Sequence, residues 1–342
     1  MLKLIDEKIK ISLIDTLDLI PLNTELSNIN GIEVESVSEN LIKDVEYKLT
    51  KTIIDIAILP SVSLLNNYEL LMPVGVSHQI HSINIYLTFN QDSIFLSDII
   101  KKRIEALKEI SQHINFGISG SIKKSASFIF EAADNLPLPK IDFAPSLKIL
   151  TSNTSAIMLA KIFYKLIFGT KAYEALVSKD DFNTSSTNLN FININLETSS
   201  THKKSDNKKH IDLIQFWNYI TGLPFVSSIM LKNPDFEIPL PWYKKIFEAI
   251  HIAQVKMKIE PSAYSEILNK FQLTHLMEHN NIKNDAYTIW KNIKYKLTES
   301  EIKGLLMFLC LAKHITKLKT QDLELTKLLR WKYTDKAYIN EY

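Results

Sequence analysis

The sequence predicts an α/β fold, and three observations carry that prediction. Ile53-Ile54-Asp55-Ile56-Ala57-Ile58-Leu59 is a nearly continuous apolar, β-branched run that stops at Pro60-Ser61. Runs of this kind suit strands buried on both faces, as parallel sheets between helix layers require. The first ninety or so residues read strand, loop, helix, strand, helix, strand, which is an α/β order. Leu223-Pro224-Phe225-Val226 then opens an apolar run to Leu231 that reads as a further buried strand, because proline is tolerated at a strand's first residues and not inside it.

Each element follows from local pattern. Residues 8–13 alternate with period two and break into the polar Asp15-Thr16-Leu17-Asp18, a strand-to-loop edge. After a polar, Asn-rich turn, residues 32–37 alternate again, and Ser38-Glu39-Asn40 is placed to cap a helix that runs to Leu49. Val74-Gly75-Val76 and residues 83–89 are strand-like. Residues 96–114 turn helical, with Ile99, Ile100, Ile104, Leu107 and Ile110 on one side and charges opposite. Gly117-Ile118-Ser119-Gly120-Ser121, Pro137-Leu138-Pro139 and Ala144-Pro145-Ser146 punctuate an elaboration. A short strand at 147–150 stops at Thr151-Ser152-Asn153-Thr154-Ser155, and helical spacing follows from Ala156 to Phe168, before Gly169. Residues 172–177 read as another short strand, and 183–209 as an exposed polar loop. Trp217-Asn218-Tyr219-Ile220 runs into the turn Thr221-Gly222. Past Pro239, Pro241 and Trp242 the tail reads as all helical, with helices through 246–255, 264–277, 287–293 and 302–315. No repeat of solenoid period is visible.

Composition narrows the function classes. The 342 residues are 46% hydrophobic and 23% charged, enough for one large or two medium domains with substantial cores. A net charge of +2 from 40 basic and 38 acidic residues provides no global field for nucleic acid or an anionic membrane, and leaves room for a local anion site. The single Cys310, inside an apolar run, reads as a packed thiol and forms no disulfide framework. Met1-Leu2-Lys3-Leu4-Ile5-Asp6-Glu7-Lys8 sets charges where a secretory signal needs an apolar core, and no apolar stretch is long enough to span a bilayer, so cytoplasmic residence is the expectation.

Two local motifs carry little chemistry. His275-Leu276-Met277-Glu278-His279 has the spacing that puts two imidazoles one helical turn apart, as an inverted zinc-protease motif needs, but no third ligand is identifiable. It reads as an exposed polar helix end, and no metal is expected. Gly117-Ile118-Ser119-Gly120-Ser121 lacks both the Walker spacing and the three-glycine dinucleotide fingerprint, and reads as a turn. The hydroxyls at Thr154 and Ser155 are different in kind. A helix start rich in hydroxyl residues exposes orphan N–H groups that attract anions, so a carboxylate can be held there without Lys or Arg.

Five segments, in order, resemble the chorismate dehydratase family of the futalosine route to menaquinone. Ser12-Leu13-Ile14-Asp15-Thr16 is similar to the family's Ser-Tyr-Leu-Asn-Thr loop, and Asp55-Ile56-Ala57-Ile58-Leu59-Pro60-Ser61 to its Asp-Ile-Ala-Leu-Ile-Pro-Ser. Ser77-His78-Gln79-Ile80-His81-Ser82 stands where the family has a Gly-Pro-Val-x-Ser hinge. Ser152-Asn153-Thr154-Ser155 matches its Ser-Arg-Thr-Ser helix start. Residues 217–226 resemble its Trp-x-x-Trp/Tyr-Thr-Gly-Leu-Pro-Phe-Val, the most specific of the five.

The resemblance implies a two-lobed fold like a type II periplasmic binding protein, with two crossing strands and a helical C-terminal tail. Lobe 1 would comprise residues 1–90 and 227–342, the tail packing back on it, and lobe 2 residues 91–226 with insertions at about 101–146 and 183–210. It also implies a carbon–oxygen lyase that converts chorismate to 3-[(1-carboxyvinyl)oxy]benzoate and water without a cofactor, on a small dicarboxylate substrate. Ring aromatisation drives that reaction, so the protein mainly orients the substrate and assists departure of a hydroxyl. Carried over by position, Asp15 and Ser82 form the reacting centre. Thr154 and Ser155 hold a carboxylate, Ser61 lines the cleft, and Ser12, Asn153, Thr221 and Gly222 complete the binding set.

Four positions depart from the family's pattern: Asp15 replaces an Asn, His78-Gln79 replaces Gly-Pro, and Asn153 replaces an Arg. A carboxylate at Asp15 facing a dianion costs on the order of 1 to 4 kcal/mol unless it is protonated or paired. In exchange it can act as a general base on the C3 proton, which Asn cannot. The alternative expectation is a non-catalytic, or differently specific, carboxylate-binding protein of the same fold.

Overall fold

The computed structural model describes residues 8–66, 68–78, 85–89, 94–112, 120–137, 146–149, 153–178, 193–198, 209–274 and 282–316. These fall into two compact units. One lies within Met1–Ser82 and Val226–Glu299, the other within Ile83–Phe225 and Ser300–Thr326, so the chain passes between them after Ser82, Phe225 and Glu299.

The first unit starts β1 (Ile9–Ile14), α1 (Ile20–Ser27), β2 (Ile32–Val37), α2 (Ile42–Thr50), β3 (Ile56–Pro60) and β4 (Glu69–His78). The second unit follows with β5 (Ile85–Phe89), α3 (Ile94–Gln112), α4 (Gly120–Asn135), β6 (Ser146–Ile149), α5 (Thr154–Ser178), β7 (Asn193–Thr198), β8 (Lys209–Asp212) and α6 (Leu213–Thr221). The chain returns to the first unit in β9 (Phe225–Lys232), α7 (Leu240–Ile259), α8 (Ser265–Thr274), α9 (Ile282–Asn292) and β10 (Ile293–Lys296), and α10 (Glu299–Thr316) belongs to the second.

The first unit is built on a six-stranded sheet in the order β2-β1-β3-β9-β4-β10. The three N-terminal strands run parallel, with Ile9 opposite Ile32 and Ile11 opposite Ile56, while β9 lies antiparallel to β3 with Pro60 opposite Ser228. Central position explains the apolar run: Ile56, Ala57, Ile58 and Leu59 are all fully buried. Each large side chain so buried contributes roughly 1.5–3 kcal/mol of transfer free energy. Between β4 and β9 the backbones approach so closely that a Cβ on Gly75 would stand 2.2 Å from the Ser228 carbonyl oxygen.

The second unit has a four-stranded sheet, β6-β7-β5-β8, in which β5 is antiparallel to both β7 and β8 and β6 is parallel to β7. Helix α5 bends at Gly169 (φ 82°, ψ 167°), and a bend frees carbonyls of the turn before it. Arg103, buried on α3, meets that need. Its Nε donates to Leu166 O at 3.2 Å and one guanidinium nitrogen to Pro137 O at 2.9 Å, while the other bonds Ala133 O at the end of α4.

Several expectations need correction. Residues 172–177 are not a strand but continue α5 past the bend, as their Ala, Glu and Leu content allows. The polar stretch 183–209 contains β7, whose neighbours β5 and β6 supply the pairing that its own composition does not advertise. The tail is not all helical, because β10 pairs with β4 and forms an edge of the sheet. It is also divided: α10 belongs to the second unit, where Gly304 lies so near the Pro224 carbonyl that a Cβ would come within 2.1 Å. The Asn-rich stretch after β1 holds α1, and Ser38 makes no side-chain cap.

Candidate functional site

The first group of residues stands where β1 ends. The Asp15 amide donates to Val37 O at 2.7 Å, which ties the end of β1 to the end of β2 and leaves the Asp15 side chain half-buried. A single 3-10 turn, Leu17–Leu19, follows. Thr16 starts it with no side-chain cap, because its hydroxyl donates instead to the Asp18 carboxylate. Burial pushes the Asp18 carboxyl above its ordinary value, and the Thr16 hydrogen bond partly offsets that. Two buried aromatic donors grip the turn from the C-terminal part of the unit. Trp290 Nε1 on α9 donates to Leu17 O at 2.7 Å, and Tyr295 Oη on β10 donates to Asp18 O at 2.6 Å.

Along the sheet, Ser12 pairs in register with Ala57, so its side chain shares a face with Leu59, two residues on. Ser12 is fully buried and its hydroxyl has no partner. Ser61 is fully buried too, and its hydroxyl donates to Val226 O at 2.7 Å, bonding the end of β3 to the start of β9. On β4, His78 Nε2 lies 2.7 Å from Ser227 Oγ of β9. Burial pushes that imidazole down to about 3, so it is neutral at physiological pH. Asp15 and Ser61 thus stand at the C-terminal ends of adjacent parallel strands, the edge at which open α/β sheets place ligands. Ser82 lies outside the described residues, as do Ser152, the 275–279 motif and Gly117 to Ser119.

The second group belongs to the other unit. Asn153 caps α5: its Oδ1 accepts from the Ala156 amide at 3.0 Å, and its carbonyl accepts from Ile157 at 2.9 Å. Ser155 is fully buried, and the Thr154 Oγ1 atom is buried without a partner. An unpaired hydroxyl on the first residue of a long helix, at the positive end of its dipole, is suited to an anionic oxygen. Thr221 and Gly222 instead build a corner. Thr221 Oγ1 donates to Trp217 O at 2.7 Å and accepts from Leu223 N at 3.1 Å, while Gly222 adopts the left-handed conformation (φ 65°) that closes α6. Behind the corner, the Trp217, Phe225 and Phe308 rings meet edge to face at 5.1–6.0 Å.

The expected site residues therefore divide between the units: Ser12, Asp15 and Ser61 in the first, Asn153, Thr154, Ser155, Thr221 and Gly222 in the second. Ser61, Asn153 and Thr221 have hydrogen-bonding roles within their own unit. Sequence reasoning missed Asp18, Ser227, Trp290 and Tyr295. Asp18 was visible as a second carboxylate three residues after Asp15, whereas nothing local marks the two aromatics. Among the described residues, no group of three or more His, Cys, Asp or Glu side chains could hold a metal ion, and no helix is long and apolar enough to cross a membrane.

No protein-family model and no curated protein matches the chain. Solved structures do. An ABC transporter structure from Parabacteroides distasonis aligns with a TM-score of 0.50 and 14% identity, over 93% of this chain and 98% of that one. A Candida albicans gene product, described as having the generic periplasmic binding protein fold, aligns at 0.45 and 11% over 95% of each chain. The ligand-binding component of an ABC-type import system from Staphylococcus aureus, with zinc bound, aligns at 0.45 and 11% over 94% and 96%. The chain has a two-lobed, periplasmic-binding-protein-like α/β fold.

Proposed function

We propose that the protein binds a small dicarboxylate and acts on it as a chorismate-dehydratase-like lyase. The observation that carries this reading is the position of Asp15, the half-buried carboxylate directly after the first strand of a parallel trio. In the proposed reaction Asp15 takes the C3 proton of chorismate, the electron pair moves into the ring, and the neighbouring hydroxyl leaves as water once it is protonated. The ring becomes aromatic, so no oxidant or reductant is needed. Thr154, with its unpartnered Oγ1 at the α5 N-terminus, would hold a substrate carboxylate. Ser82 completes the reacting centre in this reading.

A second reading, carriage of a small carboxylate without chemistry, is favoured by specific observations. Asp15 puts a negative charge where the resembling family has a neutral amide, and the Ser61 and Thr221 hydroxyls donate to backbone carbonyls of their own unit. Incubation of pure protein with chorismate separates the two. Appearance of the aromatic product supports the lyase. Thermal stabilisation by chorismate without product supports carriage, and the response of thermal stability to benzoate and aliphatic dicarboxylates then gives its ligand class.

A further inference from the structure

The loop that carries Asp15 has local bonds, Thr16 N to Ile14 O and Leu19 N to Thr16 O at 3.0 Å each, and is also held from far along the chain. A three-residue 3-10 turn has poor hydrogen-bond geometry and does not persist unaided, and this one lacks a side-chain cap. Two consecutive carbonyls of that turn, Leu17 O and Asp18 O, are instead taken by Trp290 Nε1 and Tyr295 Oη. Both aromatics are fully buried, and each is itself fixed. Trp290 packs edge-on against Tyr264 at 5.7 Å, and Tyr264 Oη donates to Glu25 at 3.0 Å. The Tyr295 amide donates to Gln254 Oε1 at 2.6 Å, so α7 holds the strand on which Tyr295 sits.

We propose that Trp290 and Tyr295 are positioning residues for Asp15: they clamp the turn beginning two residues after it and so fix where the carboxylate stands. This rests on the assignment of Asp15 as the base, and the experiment separates the two claims. Catalytic geometry is sensitive to such supports, because misplacement of a reacting group by about 1 Å can cost on the order of 100-fold in rate. Two donors of different length on successive carbonyls fix both the height and the rotation of the turn, which a single bond does not.

The test uses the full-length chain with Trp290→Phe and Tyr295→Phe, which remove one donor each at nearly constant shape. Tyr287→Phe is the control, because its hydroxyl lies 2.9 Å from Ser265 Oγ rather than on the turn. With chorismate as probe, and at temperatures well below each variant's Tm, the expected result is a fall in kcat of about tenfold or more in W290F and Y295F. KM should stay within about twofold, and the acid limb of the pH–rate profile should move, with no change in Y287F. Wild-type kcat and an unmoved acid limb in both variants, or the same changes in Y287F, would overturn the proposal. If the wild-type protein does not turn over chorismate, the lyase reading fails and the clamp is read from the Asp15 carboxyl carbon by NMR. A titration midpoint displaced in W290F and Y295F but not in Y287F supports the clamp, and a midpoint unchanged in both overturns it.

Discussion

The corner after α6 and the turn after β1 are both short, both carry residues assigned to a site, and differ in where their support comes from. In the corner, every bond that shapes the backbone comes from within seven residues: Thr221 to Trp217, Leu223 to Thr221, Gly222 to Asn218, and Trp217 Nε1 to Pro224 O at 3.3 Å. In the turn, local donors from Thr16 and Leu19 are joined by two that sit 273 and 277 positions away along the chain. The corner is therefore a local structure that its own sequence specifies. The turn combines its local bonds with tertiary ones supplied by α9 and β10. Local closure suits a fixed joint, whereas remote support makes Asp15 depend on the completed fold.

That contrast can be broken most severely where backbones touch. Gly304→Val puts a side chain where the Pro224 carbonyl now lies, and should cost about 3 kcal/mol or more by forcing α10 off the corner, read by chemical denaturation. Gly75→Val should do the same for the β4–β9 contact in the other unit. Thr221→Val is milder. It keeps the shape but removes both local bonds, and should cost about 1–3 kcal/mol without changing ligand affinity. Loss of affinity with unchanged stability would instead mean that Thr221 contacts ligand.

The titrating groups sharpen the comparison further, with opposite signs. His78 has a lowered folded value, so the folded state binds fewer protons than the unfolded chain below pH 6.5. Its contribution is full above pH 6.5 and is lost as pH falls toward about 3, at up to about 1.4 kcal/mol per pH unit. His78→Gln should flatten the acid side of the stability–pH curve, and an unaltered slope would show that His78 titrates normally. Asp18 has a raised folded value, so its contribution is full below pH 3.8 and is lost as pH rises through the raised value. Asp18→Asn should therefore raise Tm near neutral pH and leave it unchanged near pH 3. The smallest effect is expected at the α5 cap, where Asn153→Ala should cost about 1 kcal/mol.

The same contrast explains what could be read from sequence. The period-two alternation of β1, the continuous apolar run of β3 and the Pro-led start of β9 each report burial of the element itself, and each strand was located by it. Strand β7 could not be found this way, since Asn193-Ile194-Asn195 is a poor strand sequence until β5 and β6 flank it. Helix α10 was recognised from its pattern, but its unit was not, because an apolar stripe says that a helix is covered and not by what. Among the candidate residues, Asp15 and the hydroxyls at the α5 start stand out in the sequence because they follow element ends. Trp290 and Tyr295 were not, because a buried tryptophan or tyrosine reads as core until its polar atom is seen to reach a carbonyl.

Asp15 is proposed as a base acting on a ring-bearing dicarboxylate. The most direct measurement is to incubate the pure protein, and its Asp15→Ala variant, with chorismate and follow the aromatic product. The lyase reading predicts product from the wild type and a loss of at least about 100-fold in the variant. No product from the wild type, together with a Tm unmoved by excess chorismate, would contradict both the reaction and the ligand.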